Sequence, residues 1–117
     1  MPTRDHIESA IQQYVDAVGS QDLDATLALF AEDAHQEDPV GTPPNVGRDA
    51  IRGFFEKAYS VPFSTELTGP LLVTGDHAAF HFTIRVPLGD DTMTVRVIDQ
   101  VRFGDDGLIA ELRAVVD

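Results

Sequence analysis

The sequence predicts an α+β fold in which three N-terminal helices pack on a curved, mainly antiparallel sheet. Apolar residues recur at helical spacing through Tyr59, and from Val61 onward short β-rich segments take over. Gly- and Asp-containing turns separate those segments, the signature of hairpins.

The first helix is expected over residues 5 to 18, where Ile7, Ile11, Tyr14, Val15 and Val18 share one stripe. Thr3 or Asp5 can cap it and Gly19 can stop it. A second helix should start after Asp22 and run through Leu23, Ala25, Leu27, Leu29 and Phe30, ahead of an acidic segment from Ala31 to Asp38. Prolines 39, 43 and 44 each remove a donor and restrain the preceding residue, so 39–47 reads as a loop. A third helix, near Asp49 to Tyr59, turns Ile51, Phe54 and Phe55 towards a core. Strands follow around 71–74, 78–87, 92–103 and 108–116.

A chain of 117 residues with 43% hydrophobic content is the size of a single folded domain, expected to span 1–117. Its formal charge of -12 repels phosphate backbones and anionic lipid, which argues against nucleic acid and membranes as partners. The absence of cysteine excludes disulfides, thiol catalysis and cysteine-bound metal. With no apolar signal core near the N-terminus and no run of transmembrane length, a cytoplasmic protein is the default expectation.

The segment from Thr92 to Phe103 carries the strongest chemical signal. Period-two alternation puts Met93, Val95, Val97, Asp99, Val101 and Phe103 on one side, and arginines 96 and 102 on the other. No change of register exposes Asp99 without burying those arginines. A carboxyl group among aliphatics loses the hydration its anion needs, so it stays protonated and can donate a hydrogen bond. An edge or bulge that lets Asp99 reach water is the alternative. Tyr14, on the apolar stripe of the first helix, supplies either a second donor or a packing ring. Asp38, held extended by Pro39 at the mouth of the loop, is either a proton acceptor in a cleft or a surface turn residue. No metal is expected: His77 and His81 lie about 13 Å apart along a strand, too far to share one ion.

Five segments carry a family resemblance over nearly the whole chain: Tyr14-Val-Asp-Ala-Val18, Glu37-Asp-Pro-Val-Gly-Thr-Pro-Pro44, Gly47-Arg-Asp-Ala-Ile51, Thr68-Gly-Pro70 and Val97-Ile-Asp-Gln-Val-Arg-Phe103. They resemble the bacterial steroid Δ5-3-ketoisomerases, within the nuclear transport factor two and polyketide cyclase-like superfamily. The resemblance implies a cone-shaped fold, a homodimer packed through the sheet, a small apolar steroid-like substrate and no cofactor. It further implies that Asp38 shuttles a proton while Tyr14 and protonated Asp99 form an oxyanion hole, moving a double bond into conjugation with a ketone through a dienolate. Phe30, Val40, Phe54, Phe82, Leu112 and Val116 are the expected pocket wall. Phe30 and Phe55 stand where relatives carry further tyrosines, and Val116 where some carry a tryptophan, so Tyr14 is expected to lack a tyrosine network. The competing readings are a cyclase-like acid–base enzyme acting on another enolisable or epoxide substrate, and a noncatalytic binding module in which Tyr14 and Asp99 only bond each other.

Overall fold

The computed structural model describes residues 1–117 and has the expected α+β architecture. Thr3 starts α1 (Arg4–Gly19), its hydroxyl oxygen accepting from the His6 amide at 3.1 Å. Ile7, Ile11, Tyr14, Val15 and Val18 are all buried, as their spacing predicts. The helix approaches the sheet closely at Gly19, where a Cβ would stand 2.3 Å from the Thr65 hydroxyl oxygen. That hydroxyl donates to the Val15 carbonyl at 2.6 Å, tying the end of α1 to its neighbour.

The second helix, α2 (Leu23–Leu27), is shorter than the apolar spacing suggested, and Phe30 lies outside it. Its Asp22 cap accepts from the Ala25 amide, as placed from sequence. The acidic segment that follows is mostly β1 (Phe30–Glu37), a strand absent from the sequence reading. Ala, Glu, Asp and Gln are weak strand formers, so local preference hides it. Tertiary pairing decides the conformation: Gln36 sits opposite Leu112 and Glu37 opposite Arg113 in a parallel ladder.

The Pro-rich loop contains β2 (Asn45–Val46), paired with His35 and Gln36, and leads into α3 (Arg48–Ala58). Then come β3 (Ser64–Thr74), β4 (His77–Leu88), β5 (Asp91–Phe103) and β6 (Ile109–Val116). β3 begins at Ser64 rather than near 71, because its first half alternates between half-buried and exposed residues and pairs fully with β4. The sheet order is β2-β1-β6-β5-β4-β3, with the β1–β6 pair parallel and every other pair antiparallel.

Curvature comes partly from β3. Leu67 pairs with Phe82 and Leu71 with Phe80, so Thr68, Gly69 and Pro70 stand against His81 alone. Gly69 permits this bulge, since a Cβ there would lie 2.7 Å from the His81 Cβ. The three helices cover the face whose core includes Phe30, Phe80, Phe103, Ile51 and Leu112. Burying each of these large side chains contributes about 1.5–3 kcal/mol. No helix is long and apolar enough to cross a membrane.

Candidate active site

β5 delivers Asp99 inward, as the alternation requires: Val97, Asp99 and Val101 are buried while Ile98 and Gln100 are exposed. Asp99 is 1% exposed, paired in register with Phe80 on β4 and Ala114 on β6. The register shift in β5 falls between Arg102 and Phe103, away from it. Neither carboxyl oxygen has a hydrogen-bond partner, so Tyr14 and Asp99 are not bonded to each other. Loss of hydration first, and the charge of Asp38 second, push Asp99 well above the usual carboxylate range. The group is therefore a neutral acid with a proton to donate.

Asp38 follows β1 directly. Inward-facing Ala34 and Gln36 are buried, and Asp38 continues their side of the strand before the cis bond to Pro39. The Val40 amide donates to the Ala114 carbonyl at 2.8 Å, fixing this segment against β6. Glu37 pairs with Arg113 and Asp99 with Ala114, so β6 lies between the strand that leads to Asp38 and the strand that carries Asp99, and the charge of Asp38 reaches Asp99. Burial pushes Asp38 up to about 6. It is ionised at neutral pH yet close enough to that pH to accept and release a proton.

The adjacent Glu37 is treated oppositely. The Gly41 amide donates to one of its oxygens at 2.9 Å and the Arg113 guanidinium to the other at 3.2 Å. These bonds, the Gly41 one foremost, hold it below the usual carboxylate range. The same bonds tie the Pro-rich loop to β6 and favour the ionised form of Glu37, whereas burial of Asp38 favours its neutral form.

Tyr14 is 2% exposed, with Phe30, Phe80 and Phe82 set edge-on around its ring at centroid distances of 6.1, 6.1 and 6.4 Å. Hydrocarbon rings offer its hydroxyl no partner, as expected from Phe at positions 30 and 55. Burial foremost, then electrostatic interaction with the neighbouring acidic groups, raises it well above the usual tyrosine value. It is a phenol, a donor, at any ordinary pH.

Tyr14 and Asp38 line a cavity of about 300 Å³ whose wall has 15 residues, 13 of them hydrophobic. Asp99 is not among the wall residues: it is buried, and it shares its side of β5 with the wall residues Val95 and Val97. Phe54, Phe82 and Val116 line it where the sequence placed them. The other three expected wall residues do not. Phe30 and Leu112 are fully buried, Phe30 beneath the Tyr14 ring and Leu112 between β1 and β5. Val40, in the loop beyond Pro39, is 42% exposed. The cavity instead recruits Tyr59, Phe63, Ile84, Val95 and Val97. Val95 and Val97 lie on the Asp99 stripe, and Tyr59 is one helical turn beyond Phe55, so both signals were present in the residue spacing.

A model of the SnoaL-like domain matches residues 11–112. The chain belongs to the SnoaL-like family. This SnoaL-like domain is 40% identical over 108 residues to a steroid Δ-isomerase from Nocardioides simplex, an alignment covering 92% of the chain and 87% of that protein. It is also 29% identical over 120 residues to the epoxide hydrolase LasB from Streptomyces lasalocidi, covering 98% of the chain and 43% of that protein. The chain thus spans less than half the length of LasB. The superfamily expected from sequence is the one these matches identify, and the nearly full-length isomerase match is of the ketosteroid isomerase type.

Proposed function

We propose that this protein is a steroid Δ-isomerase that moves the double bond of a 3-oxo-Δ5-steroid into conjugation with its ketone. The observation that carries the reading is the contrast between two neighbouring carboxyls, Asp38 titrating at about 6 and Asp99 held neutral, beside an apolar cavity. Asp38 removes a proton from the carbon between ketone and alkene. The electron pair moves towards the ketone oxygen, which becomes an enolate oxygen hydrogen-bonded by Tyr14 and Asp99, fixed donors where charge develops. Asp38 then returns its proton two carbons away. Atoms and electrons balance without a cofactor. The kinship to the Nocardioides simplex isomerase supports the substrate class. Incubation with 5-androstene-3,17-dione tests it: conjugation produces a rise in ultraviolet absorbance, and no rise at micromolar protein removes the reading.

A second reading draws on LasB and on the same acid–carboxylate pair. A protonated carboxyl that can donate to an epoxide oxygen, beside an ionised one that can activate a nucleophile, also suits epoxide opening. Turnover of an apolar epoxide in preference to the ketosteroid would favour it.

The pH dependence follows from the base. Asp38 must be ionised to accept a proton, so kcat/KM should rise with pH through an inflection near 6 and level off above it. A profile flat from pH 4.5 to 8 would remove Asp38 from that role.

Tyr14→Phe should lower kcat more than it raises KM, because the hydroxyl bonds the enolate oxygen more strongly than the ground-state ketone. Losing one such donor costs about 10²-fold or somewhat less here, since Asp99 remains and no tyrosine network reinforces Tyr14. A change in KM alone would reduce Tyr14 to a binding residue.

Self-association completes the proposal. The sheet face turned away from the helices exposes Leu72, and Ile98 with its β6 partner Val115. A second copy of the chain is the proposed occupant, and sedimentation showing a monomer at micromolar concentration would dismiss it.

A further inference from the structure

The cavity contains a second tyrosine that the isomerase mechanism leaves unused. Tyr59 belongs to a row of aromatic rings, Tyr14 to Phe30 to Phe55 to Tyr59 to Phe63, with successive centroids 6.1, 6.1, 5.4 and 6.0 Å apart. It lines the same cavity as Tyr14 from the C-cap position directly after α3. Its hydroxyl lies 2.7 Å from the hydroxyl of Thr26, a fully buried residue of α2. Thr26 in turn lies 2.7 Å from the Asp22 carbonyl oxygen.

The polarity of this chain follows from counting protons. A carbonyl only accepts, so the Thr26 proton goes to Asp22, and the Thr26 oxygen is left to accept the proton of Tyr59. The reverse order would give up the Thr26–Asp22 bond and turn the Tyr59 proton into the cavity, away from any protein acceptor. Both protons are used only in the sequence Tyr59 to Thr26 to Asp22. A phenol whose proton is committed to Thr26 has only lone pairs to present to the cavity. Burial pushes Tyr59 up to about 12, so it remains a neutral phenol throughout the working range.

We propose that Tyr59 is a specificity-determining residue which, through its bond to Thr26, offers the cavity a hydrogen-bond acceptor and selects apolar substrates bearing a hydroxyl, over those bearing a carbonyl, at the end remote from the reacting ketone. This rests on the isomerase reading for the orientation of the ligand. The site then discriminates at its two ends with opposite polarity. Tyr14 and Asp99 donate to an oxygen that accepts, whereas Tyr59 accepts from an oxygen that donates. A carbonyl at the Tyr59 end would set acceptor against acceptor in an apolar enclosure, where an unmade hydrogen bond is costly.

Two phenolic steroids that cannot turn over, estradiol and estrone, test this directly. Both present the same phenol to Tyr14 and Asp99, and they differ only in a hydroxyl or a ketone at the opposite end. Binding followed by calorimetry should favour estradiol by about five- to tenfold, the value of one net hydrogen bond. Thr26→Val preserves shape, and the Thr26 amide still donates to the Asp22 carbonyl at 3.0 Å. It frees the Tyr59 proton, and a phenol that can both donate and accept serves a carbonyl and a hydroxyl alike, so the preference should disappear. Thr26→Ser should retain the original preference, and Tyr59→Phe, which needs no change in α2, should abolish it. Equal affinity of the unaltered protein for the two steroids, or a preference that survives Tyr59→Phe, overturns the proposal while leaving the isomerase reading intact. Failure of the unaltered protein to bind either steroid overturns the proposal, and the androstenedione assay shows independently whether the isomerase reading falls with it.

Discussion

Asp38→Asn is expected to lower kcat for the ketosteroid by about 10³-fold, within the range that a positioned general base contributes, while KM changes little. The amide has the shape of the carboxyl but cannot take a proton, and the mostly hydrocarbon wall that binds the ligand is untouched. Stability should move the other way, with a sign set by the raised pKa. An unfolded Asp titrates near 3.9, whereas Asp38 in the folded protein titrates at about 6. Below about pH 4 both states hold the proton and the carboxyl carries no penalty. As pH rises to about 6 the unfolded chain ionises first, and the stabilisation present at low pH is lost. Asn has no proton to lose. Melting curves should therefore show the variant gaining on the parent protein between pH 4 and 6 and remaining the more stable at pH 7. Substantial residual turnover would remove Asp38 from the base role, and parallel melting temperatures at every pH would contradict its burial.

Asp99 shows what a sequence makes legible. Its strand alternates aliphatic with polar residues, and arginines 96 and 102 mark the outer face, so one register alone leaves them in water. Tyr14 was equally readable, because a helical stripe needs only local spacing. Asp38 was found beside Pro39, but the strand that positions it was not. β1 contains Ala, Glu, Asp, His and Gln, and it is extended because β6 pairs with it from more than 70 residues away. No local preference records such a contact.

The cavity wall was half legible for a related reason. Burial can be read from periodicity, but whether a buried side chain faces packed atoms or a void depends on where α3 ends over the curved sheet. Phe30 and Leu112 satisfy every sequence criterion for a wall residue and are nevertheless sealed in the core. Tyr59, one turn past Phe55, reaches the void because α3 stops there. The Thr26 to Tyr59 bond, joining residues 33 apart, likewise depends on how α2 and α3 pack.

Asp99→Leu is the substitution whose two effects should diverge most. In the protein as it stands, a carboxyl group is 1% exposed, with both oxygens lacking any hydrogen-bond partner. Its surroundings in the sheet are Phe80, Ala114 and the aliphatics of its own stripe. Burying an unsatisfied polar group costs about 1–3 kcal/mol, which a leucine of similar reach avoids, so the melting temperature should hold or rise. Catalysis should fall about 10²- to 10³-fold in kcat, because the enolate oxygen loses one of two fixed donors in an enclosure that excludes water. Asp99→Asn separates the donor from the acid: its amide N–H can still donate, so its loss should be clearly smaller than that of Leu. The measurements are thermal melts and steady-state kinetics on the same three proteins. If Leu lowers stability and activity together, Asp99 serves the fold. If Leu and Asn lose activity equally, the proton of the acid, and not hydrogen-bond donation alone, is what the reaction requires.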